Sequence, residues 1–450
     1  MTDVADMPKP DSLKKILLPL VEDYYLFNYL YELSNCIQRR GYHVVIFVGS
    51  DFSKRKVNSL SPEVEVRRLP RAVTFLNNRG RFILIRFMLY IVTFLWVRLW
   101  LRREFRFSIV PWTTRPIWNV ISRNIPSLTI NNASNLSVVE DSLAEHRFNF
   151  EAPKTIGIRI GCLLDKLGIL KLRRVRGELI DFNGYDVLES LLGLKSVHRE
   201  NGCNGVSHLC VMGSKYVENY LKIGVDPLKT EISVVGNPSY EFCYQLQINF
   251  NDAEKVLFLE ENGLPLGVPI FSLFISPSSL SNEQVDEIMM VIDTISSAEK
   301  MAHFVIKLHP KTTTRSVRKV SDAITRPGRA VSLFTEFKDD VFNAKLIICS
   351  KAIVQKQSTL GFLAMIFRVP ILSYNLVKTD YHDDLFKLLG ISIHSENKQE
   401  LISAIGMIED PLTLAAYKEH LNKMEEDYCR FEESPCDNVV SIIDRHFSAL

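Results

Sequence analysis

The chain has 450 residues, 46% of them hydrophobic and 24% charged, and a formal net charge of +2. That balance excludes a disordered chain and gives no ground for a nucleic-acid partner. The length exceeds what one hydrophobic core usually supports, so two domains are expected.

In chain order, Lys15-Ile-Leu-Leu-Pro-Leu-Val21 reads as a first buried strand and Tyr24 to Arg40 as a helix with an aromatic and aliphatic face. Gly41 stops that helix and Val44 to Val48 supplies the next strand, which makes a βαβ unit. Val64 to Leu69, Phe107 to Val110 and Ser127 to Ile130 read as further short strands. Between them lies the one membrane-like segment, Phe82 to Leu101, nearly all apolar but interrupted by Arg86 and Arg98. Ten arginines and a single acid, Glu104, fall between Val66 and Arg106. Interior arginines are expensive in hydrocarbon, whereas a helix lying in the interface lets them reach anionic headgroups. Attachment to a membrane surface through residues 79–106 is therefore expected, with Phe94, Leu95 and Trp96 among its apolar contacts; a core helix between sheet layers and a true membrane span are the alternatives.

Residues 135–200 show no clean period. Order returns with a strand at His208 to Met212, a helix from Ser214 to Ile223 and a strand at Glu231 to Val235. After a polar helical connection, a second series runs through strands at Val268 to Ile275, His303 to Leu308, Ala330 to Leu333, Leu346 to Cys349 and Pro370 to Ser373. Helices are expected at Asn282 to Ile295 and Leu360 to Phe367, and a charged amphipathic one at Pro411 to Glu433. Strands alternating with helices predict an α/β fold of two Rossmann-like, doubly wound domains facing a central cleft. The expected division is 1–240 as the first domain, 241–265 as linker and 266–450 as the second domain with its C-terminal helix.

The eight cysteines form no C-x-x-C pair and several sit in apolar runs, so buried reduced thiols and a cytoplasmic setting are expected. The first residues, Met1-Thr-Asp-Val-Ala-Asp, show no secretory signal pattern.

Two segments of the second half carry chemistry. His309 follows an apolar strand and precedes Pro310, which ends the ladder because it lacks an N–H. An imidazole there suits a phosphate oxygen or a leaving group, with Lys307 or Lys311 adding charge. Ser358 and Thr359 precede the helix that holds Gly361, where N–H groups favour an anion. Ser276 and Ser278, just after the domain's first strand, belong to the same edge. In the first domain, Glu22 and Asp23 follow the first strand, where a carboxylate suits a general base. Plain helix capping and strand-end packing explain each of these residues taken singly. No H-E-x-x-H, G-x-x-x-x-G-K-[ST] or G-x-G-x-x-G is present, so neither a metal nor a bound cofactor is expected.

At Val211-Met-Gly-Ser-Lys-Tyr-Val217, Val234-Val-Gly-Asn-Pro238, Ile306-Lys-Leu-His-Pro310, and Ser358-Thr-Leu-Gly361 with Arg368-Val-Pro-Ile-Leu372, the chain resembles GT-B glycosyltransferases of the bacterial surface-polysaccharide type. That group includes polysialyl- and Kdo-transferases, glycerophosphotransferases and UDP-GlcNAc 2-epimerases. The resemblance covers residues 205–375 well and the first domain in outline. It implies that His309, Ser358 and Thr359 bind the donor phosphate, with a CMP-sugar favoured, and that an acid of the first domain is the base, matched by Glu22 or Asp23 in position only. Leu363 and Ala364 stand where many GT-B enzymes place a ribose-binding glutamate, which argues against a typical UDP-sugar retaining enzyme. The implied activity is metal-independent transfer of a sugar to a lipid-linked or surface polysaccharide, in the cytoplasm and peripheral to the inner membrane. A nucleotide-sugar 2-epimerase or hydrolase and a non-catalytic assembly protein are the alternatives.

Overall fold

The structure is a computed structural model. It describes residues 14–20, 24–49, 64–70, 73, 83–110, 120–122, 124–130, 163, 166–167, 174–175, 178–179, 206–222, 225–275, 279–309, 312–325, 330–336, 339–356, 358–377 and 385–449. The chain divides into two units, the first formed by 1–241 and 432–450 and the second by 242–431.

In the first unit the described strands are β1 (Lys15–Leu20), β2 (His43–Val48), β3 (Glu65–Arg68), β4 (Phe107–Ile109), β5 (Ser127–Ile130), a small hairpin of β6 (Arg174–Val175) and β7 (Glu178–Leu179), β8 (His208–Val211) and β9 (Glu231–Val234). Seven of them form one parallel sheet in the order β3-β2-β1-β4-β5-β8-β9. Side chains alternate across a strand, and the core divides accordingly. Ile16, Leu18, Val44 and Ile46 face helix α1 (Tyr24–Arg39), which contributes Leu30, Leu33 and Ile37. Leu17, Val45 and Phe47 face the other layer, where helix α2 (Ile83–Trp96) and the π-helical turn Val97–Leu101 that continues it supply Tyr90, Val97 and Leu101.

The second unit repeats the plan. Its sheet is parallel in the order β12-β11-β10-β13-β14-β15, built from β10 (Ile270–Ile275), β11 (His303–Leu308), β12 (Val331–Phe334), β13 (Ala352–Lys356), β14 (Ile371–Tyr374) and β15 (Ile393–Ser395). In the first unit helix α3 (Ser214–Lys222) connects β8 to β9, and after β9 the chain runs through α4 (Glu241–Asn249) and α5 (Asp252–Glu261), so the expected linker is largely helical. On one face of the second sheet, α6 (Asn282–Ala298) packs through Val285, Ile288 and Ile292, with α7 (Thr314–Ile324) beside it. On the other lie α8 (Asp340–Ile348) and α9 (Gly361–Ile366), with their buried Leu346, Ile347, Phe362 and Ile366. After the short α10 (Leu385–Leu388), α11 (Lys398–Glu409) adds Leu401, Ala404 and Ile405 to the α6 face, and α12 (Pro411–Tyr428) packs on α9. Both sheets therefore reverse their winding direction beside the first strand, at β1/β4 and at β10/β13.

Two expectations change. Leu346 to Cys349 is not a strand but the end of α8, whose start is capped by Asp339 Oδ1 accepting from Phe342 N–H at 2.7 Å. A four-residue apolar run fits either period, and here Asn343, Ala344, Leu346 and Ile347 are buried at helical spacing. The strand is the next segment, Ala352–Lys356. The last helix, α13 (Pro435–Ser448), expected with the second domain, clusters with the first unit instead. Val439, Val440, Ile443 and Phe447 enter the α1 face of the core, and Tyr42 hydrogen-bonds Asp444. Its entry is pinned by Glu241, whose carboxylate accepts from Ser434 Oγ at 2.9 Å and Cys436 N–H at 3.1 Å.

Among the described residues no helix is long and apolar enough to cross a membrane. The α2 segment instead has two faces. Tyr90, Thr93, Val97 and Leu101 are buried, while Met88 (61% exposed), Val92 (48%), Leu95 (47%), Leu99 (48%) and Trp100 (70%) form an outward apolar stripe. Exposed Arg98, Arg102 and Arg103 lie on the same segment. Phe94 and Trp96, expected at the membrane, pack against the inner core, Trp96 edge-on to Phe47.

Candidate functional site

In open α/β sheets, ligands bind beyond the carboxyl ends of the strands where the winding reverses. In the second unit that point is the β10/β13 junction. β10 pairs with β11 on one side and β13 on the other, so the turns after β11 and β13 flank the turn after β10. His309 stands immediately after β11 and Ser358 two residues after β13. With strands about 4.8 Å apart, their backbones lie about 10 Å from each other across the end of β10.

His309 is exposed, and its backbone is fixed from both sides: its N–H donates to Ile275 O at 3.1 Å and its carbonyl accepts from Thr312 N–H at 2.8 Å. Ser358 is buried, its Oγ accepting from Leu360 N–H at 3.4 Å and its carbonyl from Gly361 N–H at 3.2 Å. Thr359 is exposed at the top of the same turn. Its carbonyl accepts from Phe362 N–H at 3.1 Å. The turn is pressed onto the sheet. A Cβ on Gly361 would lie 2.5 Å from the Phe386 ring and 2.7 Å from Gln355 Nε2, which is why a residue without a side chain opens α9.

Lys307 sits one position inside the strand end and is buried. By register it shares a cross-strand row with Phe274, Gln355, Ser373 and His394, on the sheet face opposite the α6 core. Burial holds its ammonium below the ordinary lysine range, with the Asp340 carboxylate pulling the other way. Glu22, Asp23, Ser276, Ser278 and Lys311 lie outside the described residues. Among the described residues no three His, Cys, Asp or Glu side chains are grouped so as to hold a metal ion.

Two features at this edge escape the sequence reading. Lys356, the last residue of β13, places Nζ 2.9 Å from Glu287 Oε2 of α6 and 3.3 Å from Asn375 Oδ1. Glu287 Oε1 accepts in turn from Val377 N–H at 3.3 Å, so one buried ion pair ties together a strand end, the turn after β14 and a helix. A lone glutamate among core-facing Val285, Ile288 and Ile292 was the available signal. Gln355 is fully buried, and among the described residues neither its Nε2 nor its Oε1 has a hydrogen-bond partner. Nothing in a single glutamine of a short apolar run announces that.

No family model matches the chain, and no curated protein sequence does. Solved structures do. A UDP-GlcNAc 2-epimerase from Neisseria meningitidis bound to UDP-GlcNAc is 14% identical and superposes with a TM-score of 0.55, covering 97% of this chain and 100% of that one. A UDP-N-acetylglucosamine 2-epimerase from Listeria monocytogenes is 12% identical, with a TM-score of 0.54 and 98% of each chain covered. A glycosyltransferase from Rickettsia africae is 11% identical, with a TM-score of 0.52, covering 97% of this chain and 99% of that one. The likeness is one of fold, and that fold contains the two doubly wound, parallel-stranded α/β units expected from the sequence.

Proposed function

We propose that this chain is a metal-independent glycosyltransferase that moves a sugar from a nucleotide-activated donor, a CMP-sugar by preference, to a lipid-linked or surface polysaccharide. The observation that carries the reading is the position of His309 and Ser358-Thr359 at strand ends on either side of β10, at the winding reversal of the second sheet. An acceptor hydroxyl attacks the anomeric carbon while the bond from that carbon to the phosphate oxygen breaks. Glu22 or Asp23 takes the hydroxyl proton, and His309, Ser358 and Thr359 donate hydrogen bonds to the departing phosphate. Lys307, Ser276 and Ser278 complete the proposed donor side.

The proposal includes work at the cytoplasmic face of an anionic membrane. The outward stripe on α2 and its neighbouring arginines support it, because apolar side chains ringed by cations suit a headgroup boundary.

Replacing His309 by Ala tests the site. The exposed imidazole leaves the fold intact, and turnover should fall by about a hundredfold or more, as for lost leaving-group stabilisation; a fully active variant refutes the assignment. A thermal-shift series with CMP, CDP, UDP and GDP identifies the donor nucleotide, since a ligand bound only by the folded state raises its stability. Epimerase or hydrolase action on a nucleotide sugar is the second reading, favoured by the 2-epimerases among the matching structures. Conversion of the nucleotide sugar without an acceptor supports that reading. Failure of every nucleotide to stabilise the chain supports a non-catalytic assembly protein.

A further inference from the structure

Asn375 is the first residue after β14, and β14 lies beside β13 in the second sheet. It therefore stands one strand spacing, about 4.8 Å, beyond the Ser358 turn along the edge that starts at His309. Three hydrogen bonds fix this stretch of chain. The Asn375 N–H donates to Ser395 O at 2.9 Å, its Oδ1 accepts from Lys356 Nζ at 3.3 Å, and two residues on, Val377 N–H donates to Glu287 Oε1 at 3.3 Å. Lys356 is held in turn by Glu287 Oε2 at 2.9 Å and lies 5.6 Å from the centre of the buried Tyr374 ring.

A lysine only donates, so its ammonium commits the Asn375 side chain to one orientation, with the carbonyl oxygen toward Lys356 and the amide nitrogen away from it. Asn375 is half-buried, and among the described residues its Nδ2 donates to none. The cation on the oxygen polarises the amide and strengthens those unused N–H donors. What results is a fixed pair of donors beside the turn that carries Ser358 and Thr359, and an amide nitrogen of this kind can receive only an acceptor atom.

We propose that Asn375 binds the nucleotide sugar, its Nδ2 donating to an oxygen of that substrate, with Lys356 and Glu287 as the positioning residues that aim it. The proposal rests on the reading of His309 and Ser358 as the phosphate site and extends it by one strand. A phosphate held between His309 and Ser358 lies over the end of β10, and Asn375 meets the part of the molecule that extends past Ser358. Phosphate oxygens and sugar hydroxyls both offer the acceptor that the amide needs. Glu287 gives Lys356 its role: the carboxylate neutralises the ammonium, which then serves to orient the amide.

The test uses the full chain and calorimetric titration with UDP-GlcNAc, CMP-N-acetylneuraminate, UDP and CMP. Asn375→Asp keeps an oxygen toward Lys356 but replaces the N–H donors by an acceptor. The nucleotide sugar that the chain binds should lose affinity at least about tenfold, as for a lost hydrogen bond, while the urea midpoint is retained. An equal loss for the bare nucleotide assigns the oxygen to a phosphate, and a loss confined to the nucleotide sugar assigns it to a sugar hydroxyl. Asn375→Ala should show the same loss, and it carries the test if a second carboxylate beside Glu287 unfolds the Asp variant. Lys356→Arg still donates to both partners and should keep binding. Lys356→Met combined with Glu287→Leu should regain stability yet stay about tenfold weaker for the ligand, since nothing then orients the amide; recovery of affinity together with stability overturns the positioning role. Unaltered affinities in both Asn375 variants overturn the proposal. A chain that none of the four ligands binds removes the phosphate-site reading, and this proposal with it, before any substitution is made.

Discussion

Replacing Gly361 by Ala inserts one methyl group into the tightest contact at the candidate site. The new carbon would lie 2.5 and 2.6 Å from two atoms of the Phe386 ring and 2.7 Å from Gln355 Nε2. Carbon atoms rest at about 3.5–4.0 Å, so ring and amide must each retreat by about 1 Å or the turn must lift. Neither neighbour has room: Phe386 is 1% exposed and packs edge-on to Phe362 with centroids 5.1 Å apart, and Gln355 is fully buried in the sheet. Overpacking of this kind costs about 1–3 kcal/mol. The strain falls on the turn that carries Ser358 and Thr359, so nucleotide affinity should fall with stability. Urea unfolding and hydrogen exchange of the β13 and α9 amides measure the first, and nucleotide thermal shifts the second. Phe386→Leu removes the obstructing ring atoms, so the double variant should be about 1 kcal/mol more stable than the sum of the two single effects predicts. Unchanged stability in Gly361→Ala, or strict additivity in the pair, refutes the steric reasoning.

Lys356→Met strands the Glu287 carboxylate, which is 2% exposed, and should cost about 3–5 kcal/mol in urea unfolding. Adding Glu287→Leu should recover most of that, and a double variant no better than the single one would show that the pair is not what the carboxylate depends on. Leu95, Leu99 and Trp100 changed together to Gln should weaken cosedimentation with anionic vesicles at least about tenfold, because each withdraws an exposed apolar group from the interface; equal partitioning would refute membrane contact through this stripe. Phe94 and Trp96 are unsuitable for that test, since they serve the core. His303 is half-buried beside Ser332 Oγ at 2.9 Å, and burial lowers its basicity. Its folded-state pKa lies below the unfolded value, so the stability it contributes is complete above about pH 6.5 and is lost as pH falls through the folded value. His303→Gln should flatten the acid side of a melting-temperature profile between pH 8 and 5, and an unchanged acid slope would sink the assignment.

The alternation of strand and helix was legible because buried parallel strands are short apolar runs bounded by turn residues, as at His43–Val48 and His303–Leu308. Positions at strand ends were legible for the same reason, which is why His309 could be placed beyond β11 from the sequence. Leu346–Cys349 was misread because four apolar residues satisfy a helical period as well as a strand's. That misreading hid the strand at Ala352–Lys356, whose end sets Ser358 beside β10.

The sequence by itself determined two doubly wound α/β units and the strand end at which His309 stands, because periodicity and turn chemistry act over a few residues at a time. Only the tertiary structure decided that α13 completes the first core, that α2 turns Phe94 and Trp96 inward and Leu95 and Trp100 outward, and that Gly361 is held against Gln355. Each of those depends on which surfaces distant segments bury against one another, and contact through space leaves no local period in the chain.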